Sequence, residues 1–157
     1  MSIKRDFAPM TRALNAFVRQ FDEEYSCFLG PDFEAVNDEA IVYTVVVCDK
    51  NAVSFRDDFI RRFPLCDDFN IFTLSFMHEL GHLETSFDTI NDIVQREEIN
   101  AMEDKEEALK KYYKLHNERI ATNWAGNYLT EHHDEMKKWE EKITRILKKV
   151  LDKYPNQ

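Results

Sequence analysis

The chain has 157 residues, of which 43% are apolar and 32% charged, the balance of one folded domain rather than a disordered segment. Thirty acidic residues against 21 basic ones give a formal net charge of −9, which argues against direct binding to a nucleic-acid backbone or an anionic membrane. No apolar run approaches the roughly 18 residues of a membrane span, no secretory apolar segment opens the chain, and the odd set Cys27, Cys48 and Cys66 lacks metal-type spacing, so a reducing, cytoplasmic setting is expected.

Glycine and proline number only three and four, which predicts long regular elements joined by short loops. Met10, Leu14, Phe17, Val18 and Phe21 recur with helical period and predict a helix over 7–21. Leu29-Gly30-Pro31-Asp32 marks a turn. Ile41 to Cys48 is β-branched and nearly continuous, so it reads as a strand buried on both faces. Residues 53–63 are ambiguous. Phe55, Phe59, Ile60 and Phe63 fit a helix with Ser54 and Asp57 as a capping box, while Val53 and Phe55 also suit a second short strand, and Pro64 closes the segment either way.

Asp67, Asp68 or Asn70 caps the next helix, about 70–84. A short helix near 89–102 follows, then a long one from a cap at Asp104 to about 130. The last helix, 131–153, carries Met136, Trp139, Ile143, Ile146, Leu147 and Val150 on one stripe with lysines opposite. Together these predict a helix-dominated α+β fold with a small sheet, in a single domain over 1–157 that ends in an additional amphipathic helix.

His78-Glu79-Leu80-Gly81-His82 is an HExxH sequence on the predicted 70–84 helix. Two histidines four residues apart lie one turn apart on one face, so both imidazoles reach a single Zn²⁺. Glu79 is rotated about 100° from His78, beside the metal, where it takes a proton from the attacking water and passes it to a leaving amine. Shuffling this composition yields HExxH in roughly 2% of sequences, so the context matters. Gly81 stands inside a helix, where glycine costs about 1 kcal/mol against alanine. A close approach of another backbone or of a ligand would account for it. The bland alternative is a surface helix whose histidines are merely polar.

Three protein ligands leave a fourth position open, and three candidates compete for third place. Asp88 is six residues past His82, a spacing used by metzincin sites, but those turn at a glycine where this chain has Thr85. Glu118 shares a helix face with Ala121, Ala125 and Leu129, between two buried stripes where an unpaired carboxylate would be costly. His116 lies about 160° around from Glu118, so the two cannot both face one ion. For the group that stabilises the oxyanion, His132, His133, Tyr112, Tyr113 and Tyr128 all remain open.

The run Phe72-Thr73-Leu74-Ser75-Phe76-Met77 into His78-Glu79-Leu80-Gly81-His82, with Glu118, Ala121, Trp124 and Ala125 downstream, resembles gluzincin-type zinc metallopeptidases. More narrowly it resembles the ImmA/IrrE-like peptidases of bacteria and mobile elements. That resemblance implies His78, His82 and Glu118 as zinc ligands, Glu79 as general base, a zincin-like domain, and a protein substrate of the repressor or antitoxin type. Several features depart from the family. Phe76 and Met77 are extra residues before the first histidine, Thr122 stands where the family has asparagine, and the gap of 118 − 82 = 36 residues is long. The helix 131–153 has no counterpart. Zincins commonly bind substrate as an added strand, and the expected edge is 41–48 or 53–56. The acidic chain favours a basic partner. A second function of another class is a non-catalytic interaction protein, with the Trp139–Val150 stripe as its docking or homo-oligomer surface. A deformylase-type hydrolase lacks its upstream cysteine loop.

Overall fold

The computed structural model describes residues 8–26, 28–29, 35–36, 50–85 and 89–153. Among them are seven α-helices: α1 (Ala8–Val18), α2 (Lys50–Arg62), α3 (Ile71–Glu84), α4 (Thr89–Asn100), α5 (Lys105–Tyr113), α6 (His116–Glu131) and α7 (His133–Lys153). A short 3₁₀ turn, Pro64–Cys66, precedes α3. The expected α+β class with a small sheet is therefore corrected: the described fold is helical. Its one extended pairing, among the described residues, sets Phe28–Leu29 against Ala35–Val36 over two residues and forms no layer. The predicted strand Ile41–Cys48 and the turn residues Gly30, Pro31 and Asp32 lie outside the described residues. The alternative strand at 53–56 is helix α2 instead. Phe55, Phe59 and Phe63 recur every four residues along one face, and that face joins the core while Val53 is 66% exposed. Ser54 and Asp57 fall inside α2 and cap nothing, because the helix begins at Lys50.

Helix α3 is the centre of the molecule. Asn70, one of the three expected caps, accepts the Thr73 backbone N–H at 2.9 Å. Phe72, Leu74, Phe76, Met77, His78, Leu80 and Gly81 are all buried, so neighbours enclose this helix on nearly every side, as a helix apolar all round demands. On one flank α1 and α7 meet it through aromatic contacts, Phe17 to Trp139 at 4.6 Å between ring centroids and Trp139 to Phe76 at 5.7 Å. On another flank is α2, and the 3₁₀ turn packs against α2 and α6, with Cys66 fully buried as a free thiol. Burial raises the pKa of its thiol, which is therefore the neutral form of a small core side chain.

The stripe on α7 is covered by this packing: Met136 and Ile143 are buried, and Trp139, Ile146 and Leu147 pack against the core. Glu140, also buried, reaches from α7 to the start of α3. One of its oxygens accepts both the Asn70 backbone N–H at 2.8 Å and the Thr73 hydroxyl at 2.7 Å. A carboxylate at a helix N-terminus satisfies donors the helix cannot, and complements its dipole.

The expected long helix from Asp104 to about 130 is two helices. Asp104 does cap the first, accepting from the backbone N–H groups of Glu106 and Glu107 at 3.1 and 3.3 Å. The chain then breaks at Leu115, which turns extended (φ −55°, ψ 138°) and is buried. No glycine or proline marks this point, so periodicity carried the prediction straight through it.

Helices α3 and α6 approach at backbone contact. A Cβ on Gly81 would overlap the Ala121 carbonyl oxygen and lie 3.0 Å from Ala121 Cα. The expected close approach at Gly81 is thus made by the neighbouring helix. On an isolated helix, Gly81→Ala would stabilise by about 1 kcal/mol. Here the sign reverses: chemical denaturation should show a loss of about 1–3 kcal/mol, the usual cost of overpacking.

His133, at the first turn of α7, contacts an Asp68 oxygen at 2.8 Å, and this bond raises its pKa. A histidine raised in the folded state stabilises it fully below the ordinary value of about 6.5, and that contribution is lost as pH rises through the raised value. Asp68→Asn should return the His133 titration, followed by NMR, toward 6.5 and flatten that part of the stability profile.

Candidate metal centre

The site stands at the meeting of α3, α4, α5 and α6. His78 and His82 project from one face of α3 one turn apart, with ring centroids 4.8 Å apart and planes nearly perpendicular. Glu118, in the first turn of α6, reaches both: its Oε2 lies 2.8 Å from His78 Nε2 and 3.0 Å from His82 Nε2. The backbone contact at Gly81 and Ala121 permits this, because Glu118 and Ala121 share the face of α6 turned toward α3. His78 and Glu118 are buried, at 5% and 4% exposure, whereas Glu79 and His82 are partly exposed. The site therefore opens on the Glu79–His82 side.

The second nitrogen of His78 is also held. Its Nδ1 is 2.8 Å from the Thr122 hydroxyl, one turn along α6 from Glu118. A hydroxyl both donates and accepts. Thr122 thus serves either tautomer: it donates to Nδ1 when Nε2 carries the proton toward Glu118, and accepts from Nδ1–H when Nε2 is bare and free to ligate. Phe55 of α2 packs edge-on to the His78 ring at 5.2 Å and closes the apolar side.

The far oxygen of Glu118 is engaged as well. Its Oε1 accepts from Arg96 Nη2 at 2.7 Å and from the Tyr112 hydroxyl at 3.0 Å. Arg96 Nε in turn donates to Asp92 Oδ2, one turn earlier on α4, at 2.5 Å. The Arg96 guanidinium lies over the Tyr112 ring, 5.3 Å from its centroid.

These contacts set the charges. Burial alone would raise the Glu118 carboxyl, but the hydrogen bonds of His78 and His82 overcome it and hold the group well below the usual carboxylate range. His82 is raised: burial opposes its charge, yet the bond to Glu118 prevails. Glu79 goes the other way. Burial raises its pKa against the pull of His78 and His82, which leaves its carboxylate a stronger base than an exposed one. Tyr112 is raised by burial and by the Glu118 charge, so its hydroxyl stays a donor.

His78, His82 and Glu118 form a group that could hold a metal ion, their ligand atoms all lying within 4.8 Å of one another. The fit is good. Bonds of about 2.0–2.2 Å in a tetrahedral shell separate the donors by about 3.3–3.6 Å, so the observed 2.8 and 3.0 Å need to open by about 0.3–0.8 Å. Two imidazoles and one carboxylate leave a fourth position free.

Of the other candidate ligands, His116 is exposed at the start of α6 and stays outside the group. Asp88 lies outside the described residues. Among the five side chains considered for the oxyanion, Tyr112 alone reaches the site, and there it donates to Glu118. Tyr128 packs on His132 with ring centroids 4.3 Å apart, His133 is bound to Asp68, and Tyr113 lines a separate cleft between α2 and α5.

Arg96 and Asp92 belong to the site although no motif marks them, and Thr122, noted only as a departure from the family's asparagine, belongs to it as the partner of His78. The Asp92–Arg96 spacing of four residues is visible as a helical ion pair, but nothing local shows that α4 lies across Glu118. Compared with protein-family models, with curated proteins and with solved structures, the chain matches none.

Thr122→Val keeps the side-chain shape and removes the hydroxyl. Metal affinity, measured by competition with a chromophoric chelator, should fall by about 10–100-fold, as for other partners of ligating histidines. An unchanged affinity would remove Thr122 from the site.

Proposed function

We propose that the protein is a zinc-dependent peptidase with a gluzincin-type site: His78, His82 and Glu118 as the ligands and Glu79 as general base. One observation carries the reading. A glutamate 36 residues beyond His82 places a single oxygen within 3.0 Å of both motif histidines, and beside them stands the half-buried Glu79 carboxylate, its pKa raised. A purely structural ion needs no such base.

When bound, a zinc ion supplies Lewis acidity that activates a water and polarises a peptide carbonyl. The protein's own side chains do the rest. Glu79 takes a proton onto its carboxylate from the attacking water and gives it to the leaving amine nitrogen. A carboxylate of raised pKa suits both halves of that transfer. His78 is fixed by Thr122 and Phe55, so its Nε2 direction does not drift. The apolar Phe55 wall and the burial of Glu118 exclude water from the inner side, and substrate enters from the Glu79–His82 side.

The substrate we infer is a protein or peptide, a repressor-like regulator by the resemblance to ImmA/IrrE-like peptidases, acting in the cytoplasm. The net charge of −9 supports a basic partner. With residues 53–56 in a helix, that segment offers no strand edge for a substrate. Among the described residues no helix is long and apolar enough to cross a membrane. The rival reading, a non-catalytic interaction protein, needs the α7 stripe free, and Trp139 and its neighbours pack against the core.

The test is cleavage of an unstructured polypeptide by zinc-loaded protein, followed by mass spectrometry. Glu79→Gln should keep its zinc and lose about 10²–10⁴-fold in rate, the contribution of a positioned acid–base group. Equal rates for the two, or no cleavage by a wild-type chain that holds its zinc, would overturn the peptidase reading.

A further inference from the structure

The non-ligating side of Glu118 is built with as much care as the ligating side. Oε2 faces the histidines. Oε1 is taken by two donors from two other helices, the Arg96 guanidinium of α4 at 2.7 Å and the Tyr112 hydroxyl of α5 at 3.0 Å. Arg96 is itself fixed, because Asp92 holds its Nε at 2.5 Å and the Tyr112 ring lies beneath its plane. Asp92 is only 7% exposed and the Arg96 side chain 30%. A surface pair drawn together by chance would not bury its acid.

We propose that Asp92, Arg96 and Tyr112 form a clamp on Glu118 Oε1 that restricts Glu118 to a single ligating oxygen and so keeps the ion four-coordinate, with the fourth position left to water or substrate. The proposal rests on the metal-centre reading given above. A free carboxylate can bind an ion through both oxygens, and the second bond, added beside the water, would raise the shell from four ligands to five and crowd the place where water or substrate must bind. Two donors on Oε1, one of them charged, make that rotation costly, since turning Oε1 to the ion breaks both hydrogen bonds at once. The planar guanidinium suits this role, because two of its N–H groups bind two carboxylates in a fixed geometry that a lysine cannot reproduce.

The break at Leu115 belongs to the same device. In the continuous helix that periodicity predicts, Tyr112 and Glu118 would stand about 9 Å apart along the axis and on different faces. The extended Leu115 turns α5 back so that the Tyr112 hydroxyl meets Oε1. None of the three clamp residues is required to touch substrate. They are positioning residues that act through Glu118.

Metal affinity alone is an ambiguous readout, because the positive charge of Arg96 also repels a cation. Coordination number is the direct one. In cobalt-substituted protein a four-coordinate ion absorbs in the visible several-fold more strongly than a five- or six-coordinate ion. Wild type should bind one cobalt per chain with the strong spectrum. Tyr112→Phe removes one donor with little effect on shape. Asp92→Asn with Arg96→Met removes the other without leaving a buried acid unpaired. Each variant should keep one cobalt and the far-ultraviolet circular dichroism of wild type, but with weaker, shifted bands, the most so when all three changes are combined. Folded variants with the wild-type spectrum would overturn the clamp while leaving the metal centre intact. A wild-type chain that takes up no cobalt would instead sink the metal-centre reading, and the clamp with it.

Discussion

The contact of α3 with α6 at Gly81 and Ala121 governs the rest of the structure. With no side chain at 81, the two backbones meet where any Cβ would strike the Ala121 carbonyl. That distance decides whether a carboxylate on α6 can reach imidazoles on α3. Glutamate is long enough to do so only because the helices touch, and Glu118 sits three residues before the contact on the same face. A bulkier residue at either position would hold the helices apart and draw Glu118 off the histidines. The glycine inside HExxH thus acts through packing.

Once the helices are in contact, a buried acid stands between them, and the surrounding side chains answer its cost. Burial raises the Glu118 carboxyl, yet His78, His82, Arg96 and Tyr112 bind both its oxygens, so the charged form is the stable one. Breaking one member of such a set leaves the others unsatisfied, which is why buried polar groups behave as a unit. The opposite end of α3 repeats the pattern with Glu140, whose carboxylate binds Asn70 and Thr73 and ties α7 to the central helix. Lys137 from α7 pairs with the other Glu140 oxygen at 2.9 Å. Helix α3 is therefore held at its N-terminus by an acid from α7 and near its C-terminus by an acid from α6.

The parts of this arrangement that could be read from the residues are those carried by local pattern. The 78–82 motif, the Asn70 and Asp104 caps and the stripe on α7 all follow from spacing along one helix. Glu118 was legible because its neighbours Ala121, Ala125 and Leu129 made that face buried, and a buried acid needs a partner. What escaped depends on the path of the chain in space. The expected small sheet rested on segment 41–48, which lies outside the described residues, and on 53–56, where the four-residue recurrence of Phe55, Phe59 and Phe63 prevails over β-branched Val53. The break at Leu115 carries no punctuating residue. Arg96 and Asp92 look like any surface ion pair until α4 is seen lying across Glu118.

The central claim is that α3 and α6 together make a centre of two imidazoles and one carboxylate for a single ion. X-ray absorption at the zinc edge, on the zinc-loaded protein, tests it most directly. The account predicts one zinc per chain in a four-coordinate shell of nitrogen and oxygen, with the outer-shell scattering of two imidazole rings and a single carboxylate oxygen. A shell with fewer than two imidazoles, a sulfur ligand, or zinc bound only in loose excess would contradict it.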